Sequence, residues 1–179
     1  EGSIFFADPK GALLYGFEHE INAFRYHKLD ANAINHDFSS FIDPVIRQME
    51  FQFKQKKVAL TTTYADGVPQ VFVDARKTEQ VVMNFLSNAL KFTKSGGKIE
   101  VGIRPVTKQE TEGTETVEKQ YAYITITDNG VGIAKEEIAI LFERYRQTSS
   151  GKAVKQKGTG LGLVICKLIA EAQGGQVGV

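Results

Sequence analysis

The chain has 179 residues, a formal net charge of +1, and 42% hydrophobic against 24% charged residues. That length supports one well-buried domain with a small appendage, and the balanced charge gives no electrostatic case for nucleic acid or a membrane surface. A single cysteine, Cys166, excludes an internal disulfide framework and suits a reducing compartment.

The opening Glu-Gly-Ser is not followed by a basic, then apolar run, so no signal peptide is expected and the chain reads as a piece of a larger protein. No apolar stretch reaches bilayer length. Leu14, Phe17, Ile21 and Phe24 recur at three- and four-residue steps and predict a helix. It is either a short helix packing on its own domain or the end of a dimerising helix that enters the domain through residues 29–34.

From Phe38 a second amphipathic helix is predicted, with Phe41, Val45, Ile46, Met49 and Phe53 on one side and Pro44 in its first turns. Residues 58–64 are β-branched and predict a strand, and Asp66-Gly67 marks a turn before another at 70–73. A long helix follows over 75–92, stopped by Lys94-Ser95-Gly96-Gly97.

Strands are predicted at 98–106 and 120–127, with the Thr- and Glu-rich stretch 108–119 between them expected to be an exposed, mobile hairpin loop. A short helix is predicted over 136–142, and 144–157 shows no periodicity. Helical spacing resumes from Leu161 through Val164, Ile165, Leu168 and Ala172 and stops at Gly174-Gly175. Residues 176–179 begin a strand. Cys166 lies inside the last helical pattern, which marks a buried structural thiol rather than a nucleophile.

Three segments carry chemistry. On the 75–92 helix, Gln80, Asn84, Asn88 and Lys91 share a face distinct from the apolar Val81, Val82, Phe85, Ala89 and Phe92. Such a stripe is either a solvated face or a row that serves a phosphate chain. An asparagine oxygen can complete a magnesium shell otherwise made of phosphate and water, and the lysine adds a point charge. Asp128-Asn129-Gly130-Val131-Gly132-Ile133 puts a carboxylate at a strand end, before glycines that let the chain approach a flat ligand. The carboxylate suits the exocyclic amine of adenine; the plainer reading is a turn.

Gly158-Thr159-Gly160-Leu161-Gly162-Leu163 sets glycines where a helix starts, so its amides and dipole face an anion. It lacks the lysine ending of a P-loop, and the preceding glycine segment lacks Rossmann spacing. Between the two turns, the polar stretch 144–157, with Arg144, Arg146 and its lysines, is either a surface loop or a lid over phosphates.

Taken in order, these segments resemble the catalytic, ATP-binding domain of sensor histidine kinases, in the superfamily that includes gyrase, Hsp90 and MutL. Residues 74–93 are similar to its N box, Asp128 to Ile133 to the first glycine box, Leu141-Phe142-Glu143-Arg144-Tyr145 to the phenylalanine box, and Gly158 to Leu163 to the second glycine box. The resemblance covers residues 38–179. It implies an α+β, two-layer sandwich (the Bergerat fold), a mixed sheet on about three helices, preceded by a short helical segment over 1–37.

By the same resemblance, Asn84 is a ligand of Mg2+, with Asn88 and Lys91 near the phosphates of ATP. Phe92 lies against adenine and Asp128 binds its amine. Gly130, Gly132, Ile133 and Phe142 complete the nucleotide pocket, and Gly158, Thr159, Gly160, Leu161 and Gly162 cradle phosphate. Asn84, Lys91 and Arg144 carry the catalytic roles.

The implied partners are the chain's own dimerisation and histidine phosphotransfer domain and the receiver domain of a response regulator. The parent protein is expected to be a homodimer in the cytoplasm, with or without a membrane anchor, and no nucleic-acid partner is implied. Superfamily ATPases carry a glutamate one helical turn before the metal asparagine, where this chain has Gln80, a poor base at neutral pH. That points to a kinase, with a nucleotide-gated ATPase of the gyrase type as the alternative.

Two departures stand out. His19-Glu20-Ile21-Asn22 resembles the family's acceptor start without its proline, and only 65 positions separate His19 from Asn84, too few for a full dimerisation hairpin. The strand that closes the family's sheet after Gly174-Gly175 is begun at 176–179 but not finished, so the chain reads as trimmed.

Overall fold

The computed structural model describes residues 2–7, 35–36, 39–112, 114–143 and 160–179. The predicted helix through Leu14 and Phe24, His19, the 144–157 stretch with Arg144, and Gly158 and Thr159 lie outside the described residues.

Strand β1 (Gly2–Ala7) and the two-residue β2 (Asn35–His36) precede helix α1 (Ser39–Lys56). Then come β3 (Ala59–Tyr64), β4 (Val71–Phe72) and α2 (Ala75–Phe92). A long hairpin follows, β5 (Lys98–Glu112) and β6 (Glu115–Asp128), then α3 (Lys135–Ile138), α4 (Gly162–Ala172) and β7 (Gln176–Gly178).

Five strands form one mixed sheet in the order β3-β5-β6-β1-β7, in which β3 runs parallel to β5 and the other neighbours are antiparallel. Alternation along β5 and β6 turns Ile99, Val101, Ile103, Ala122, Ile124 and Ile126 to one face, all buried. Against that face pack Ile42, Val45, Met49 and Phe53 of α1, Val81, Val82, Phe85, Leu86 and Ala89 of α2, and Cys166 and Ile169 of α4. The predicted α+β sandwich with three packed helices is the one observed, and α3 buries nothing. Truncating the fully buried Leu86 to Ala would cost roughly 2–5 kcal/mol.

Helix α2 has the predicted bounds because both ends are closed by side chains. Asp74 caps the start, its carboxylate accepting from the Lys77 amide at 3.0 Å, and Thr78 Oγ1 donates to the Asp74 carbonyl at 2.8 Å. At the other end Lys56 Nζ donates to the carbonyls of Leu90 and Lys91 at 2.5 and 3.0 Å, a cation on the negative pole of the helix. Gly96, with φ +80°, then turns the chain into β5.

Several expectations are corrected. Residues 108–119 are not a loop: ladder pairing continues to Glu112↔Glu115, so a two-stranded ribbon extends beyond the ends of β3 and β1. Polar Thr and Glu residues serve a strand well when both faces meet water. The strand predicted at 70–73 is only the two residues of β4, which pairs with β2 in a separate two-stranded sheet. Pro44 does lie in the first turns, as the sixth residue of α1, though far enough in that it deletes the bond that would reach the Ser40 carbonyl. The predicted 136–142 helix is a single short turn of helix at Lys135–Ile138 followed by turns. Residues 2–7, placed by sequence in a helical segment, form a strand between β6 and β7, pairing with both.

Candidate nucleotide site

The amide stripe of α2 is the spine of the site, because both glycine turns close on it. The first packs at the end of the helix: a Cβ at Gly130 would lie 2.6 Å from the Phe92 carbonyl oxygen and 2.7 Å from Asp128 Oδ1. Any side chain there would push the turn off the helix. The second packs at its middle, where a Cβ on Gly162 would lie 3.6 Å from Asn84 Oδ1. Three stretches distant in sequence therefore meet around Asn84 and Phe92.

The stripe is not a plain solvated face. Gln80 is exposed, but Asn84, Asn88, Lys91 and Phe92 are half-buried. Asn84 also faces α4, beside Gly162 and close enough to the Cys166 thiol to favour its ionised form. That thiol's Sγ lies 3.9 Å from the Val81 carbonyl, and burial pushes its pKa up to about 12, with the Asn84 contact opposing the rise. Cys166 is thus a neutral thiol at physiological pH and no nucleophile, as its helical position predicted. The Lys91 ammonium sits 5.3 Å from the centre of the Phe92 ring, so the charge and the aromatic ring converge.

Asp128 ends β6, half-buried, and one carboxylate oxygen accepts from the Gly130 amide at 2.8 Å, which bends the chain into the turn. Asn129 fastens the same turn to β5, its Oδ1 accepting from the Lys98 amide at 2.8 Å. Beyond it Gly132 has φ +70° with open space where a Cβ would stand, and the apolar side chains of Val131, Ile133 and Ile138 are exposed. Phe142 is half-buried in the turns after α3. A flat apolar ligand beside a carboxylate fits this corner.

Gly160 has φ +71°, and α4 starts at Gly162 with Leu161 supplying no side-chain cap, which leaves its first amides suited to an anion. Among the described residues no group of three His, Cys, Asp or Glu side chains could hold a metal. A cation here would need oxygens from a bound phosphate as well as Asn84. The residues present fit a nucleotide with its magnesium.

Two residues that shape the site were missed by sequence reasoning. Lys56 caps the end of α2 from another helix, and Gln173 binds the start of α2 from beyond α4, its Oε1 accepting from the Asp74 amide at 2.6 Å. Neither carries a motif; only the fold reveals them. A cleft of about 230 Å³ between α1 and α2, lined by Pro44, Val45, Gln48, Arg76, Glu79, Gln80 and Met83, shares only Gln80 with the stripe. No described helix is long and apolar enough to cross a membrane.

Comparison with known proteins places this geometry. The model of the family described as "Histidine kinase-, DNA gyrase B-, and HSP90-like ATPase" matches residues 73–179. An "Adaptive-response sensory kinase SasA" from Prochlorococcus marinus (strain MIT 9303) is 32% identical over 89% of the chain, and "Histidine kinase 5" from Arabidopsis thaliana is 35% identical over 70% of it. The chain spans 40% and 15% of those two proteins. Among solved structures, the "Mycobacterial sensor histidine kinase MprB" superposes with a TM-score of 0.62 at 27% identity, covering 76% of this chain and 78% of that one. The catalytic domain of the histidine kinase ThkA superposes at 0.58 and 21% identity, over 77% and 80%, a likeness of fold. The full-length ShkA structure in complex with AMPPNP superposes at 0.59 and 24% identity, over 82% of this chain and 28% of that one, again a likeness of fold.

Proposed function

The chain belongs to the histidine kinase-, DNA gyrase B- and HSP90-like ATPase family, and from that premise we propose that it is the ATP-binding catalytic domain of a two-component sensor histidine kinase. The observation that carries this reading is the closure of both glycine turns on one amide-bearing helix, at Asn84 and at Phe92. The similarity to sensor kinases supports a kinase over other members of the family.

In this reading Asp128 accepts from the adenine amine while Gly132 and Ile133 leave room for the ring and Phe92 and Phe142 wall it. Asn84 holds Mg2+, which when bound neutralises phosphate charge. Asn88 and Lys91 reach the phosphates, and Gly160, Leu161 and Gly162 present amides to them, joined by Gly158, Thr159 and Arg144. A histidine nitrogen of the parent's dimerisation domain attacks the γ-phosphorus, the bond to the β-phosphate oxygen breaks, and ADP leaves. The phosphoryl group then passes to an aspartate of a response regulator.

Gln80 supports transfer to a side chain over transfer to water, since a carboxamide at that position is no base. Residues 38–179, with β1 added to the sheet, form the catalytic unit, and the parent protein is a cytoplasmic-side homodimer. The test is calorimetry and phosphoryl transfer with radiolabelled ATP, on this chain alone and with the dimerisation domain added. Heat on adding Mg-nucleotide and label only with the added domain are expected. No heat from folded protein overturns the assignment.

A further inference from the structure

The two helices that bear the nucleotide-facing residues are tied together far from the nucleotide. The Asp74 amide donates to Gln173 Oε1 at 2.6 Å across 99 positions of sequence, and Gln173 Nε2 donates to the Ile169 carbonyl at 3.2 Å. Gln173 is only 7% exposed. Donor and acceptor ends of its carboxamide are both engaged, which fixes its orientation.

From that tie the helices run antiparallel and in step. Seven positions along α2, from Asp74 to Val81, match seven positions back along α4, from Gln173 to Cys166, where Sγ meets the Val81 carbonyl. Three more positions reach Asn84, and four more reach Gly162, whose Cβ position lies 3.6 Å from Asn84 Oδ1. We propose that Gln173 is a positioning residue that sets the axial register of α4 on α2, and through it the placement of Gly160 and Gly162 against Asn84.

The apolar contacts between the helices cannot do this alone. Burial is non-directional, so the buried Cys166 and Ile169 do not by themselves choose between axial positions one turn, about 5.4 Å, apart. A buried hydrogen bond is directional, and slipping would strand the Asp74 amide without a partner. Asp128 belongs to β6 and not to α4, so Gln173 governs the phosphate and metal half of the site and leaves the adenine half alone.

The proposal rests on the nucleotide reading above, and one experiment separates the two. Affinities for Mg-ADP and for adenosine are measured by calorimetry on the full chain and on Gln173→Met, which keeps length and apolar body but loses both bonds. Mg-ADP binding is expected to weaken about tenfold, the scale of one lost hydrogen bond, with adenosine binding changed less than about twofold. Equal losses, or none, overturn the positioning role. An unmodified chain that binds neither ligand overturns the nucleotide reading and the proposal with it.

Should the variant fail to fold, hydrogen exchange on the unmodified chain decides. Saturating Mg-ADP is expected to slow exchange of the Asp74 amide several-fold while adenosine does not. An Asp74 amide indifferent to Mg-ADP overturns the assignment.

Discussion

Two residues divide the proposed labour at the nucleotide. Asp128→Asn should weaken adenine nucleotides by roughly 1.5–3 kcal/mol, about ten- to hundredfold, since a charge-assisted hydrogen bond becomes a neutral one. Asn84→Ala should instead remove the magnesium dependence of binding, because a methyl group offers no oxygen. Titration calorimetry with and without Mg2+ separates the effects, and equal, small changes in both variants would move the ligand elsewhere. Gln80 permits a gain-of-function test: Gln80→Glu should raise phosphate release more than it alters affinity. A water-activating base contributes roughly 10²–10⁴-fold where its geometry is right. If the unmodified chain already turns over like a dedicated ATPase, the reading of Gln80 is wrong.

Among the elements, the first glycine turn, at Asp128 to Ile133, gives the sharpest comparison. Gly132 has the left-handed backbone but open space around it, whereas Gly130 is crowded by the Phe92 carbonyl and the Asp128 carboxylate. Gly132→Ala should therefore cost only backbone strain, about 1–2 kcal/mol of stability. Gly130→Ala should displace the turn from α2 and lower nucleotide affinity as well, readable by thermal melts beside calorimetry. Equal losses in both would mean that the turn moves freely.

Legibility in sequence followed the same line between local and distant causes. Helix α2 is legible to the residue because its N-cap, apolar spacing and glycine stop lie in it or beside it in sequence. The site stripe was legible for the same reason, since Gln80, Asn84, Asn88 and Lys91 follow one another at about one helical turn. The ribbon at 108–119 was misread because a strand wet on both faces shows no apolar alternation. Gln173 was invisible because its partner is 99 positions away.

At the scale of the whole molecule, stability should fall in alkaline solution. The Cys166 thiol, ordinarily near 9.0, is pushed up to about 12 by burial, and the Tyr64 hydroxyl is raised above its ordinary 10.0 by burial and by its 2.6 Å bond to Asp43. Both groups keep their protons longer in the folded chain than in the unfolded one. Their contribution is complete below about pH 9 and is lost progressively as pH rises towards the folded values. Denaturant melts between about pH 8 and about pH 11 should show the decline, with a shallower slope in Cys166→Ala. A flat profile would contradict the burial of the thiol.

Strand β1 has a consequence for assembly of the fold. It meets β6 at Gly2↔Ile126 and β7 at Ser3↔Gly178, nearly the full span of the chain. Its residues are made well before either neighbour, and loop closure over more than a hundred positions is slow. Until β1 threads between them, β7 has no seat beside β6, and the helix just before it lacks its final support. Maturation of the proposed phosphate cradle on that helix thus waits on one of the fold's most distant pairings.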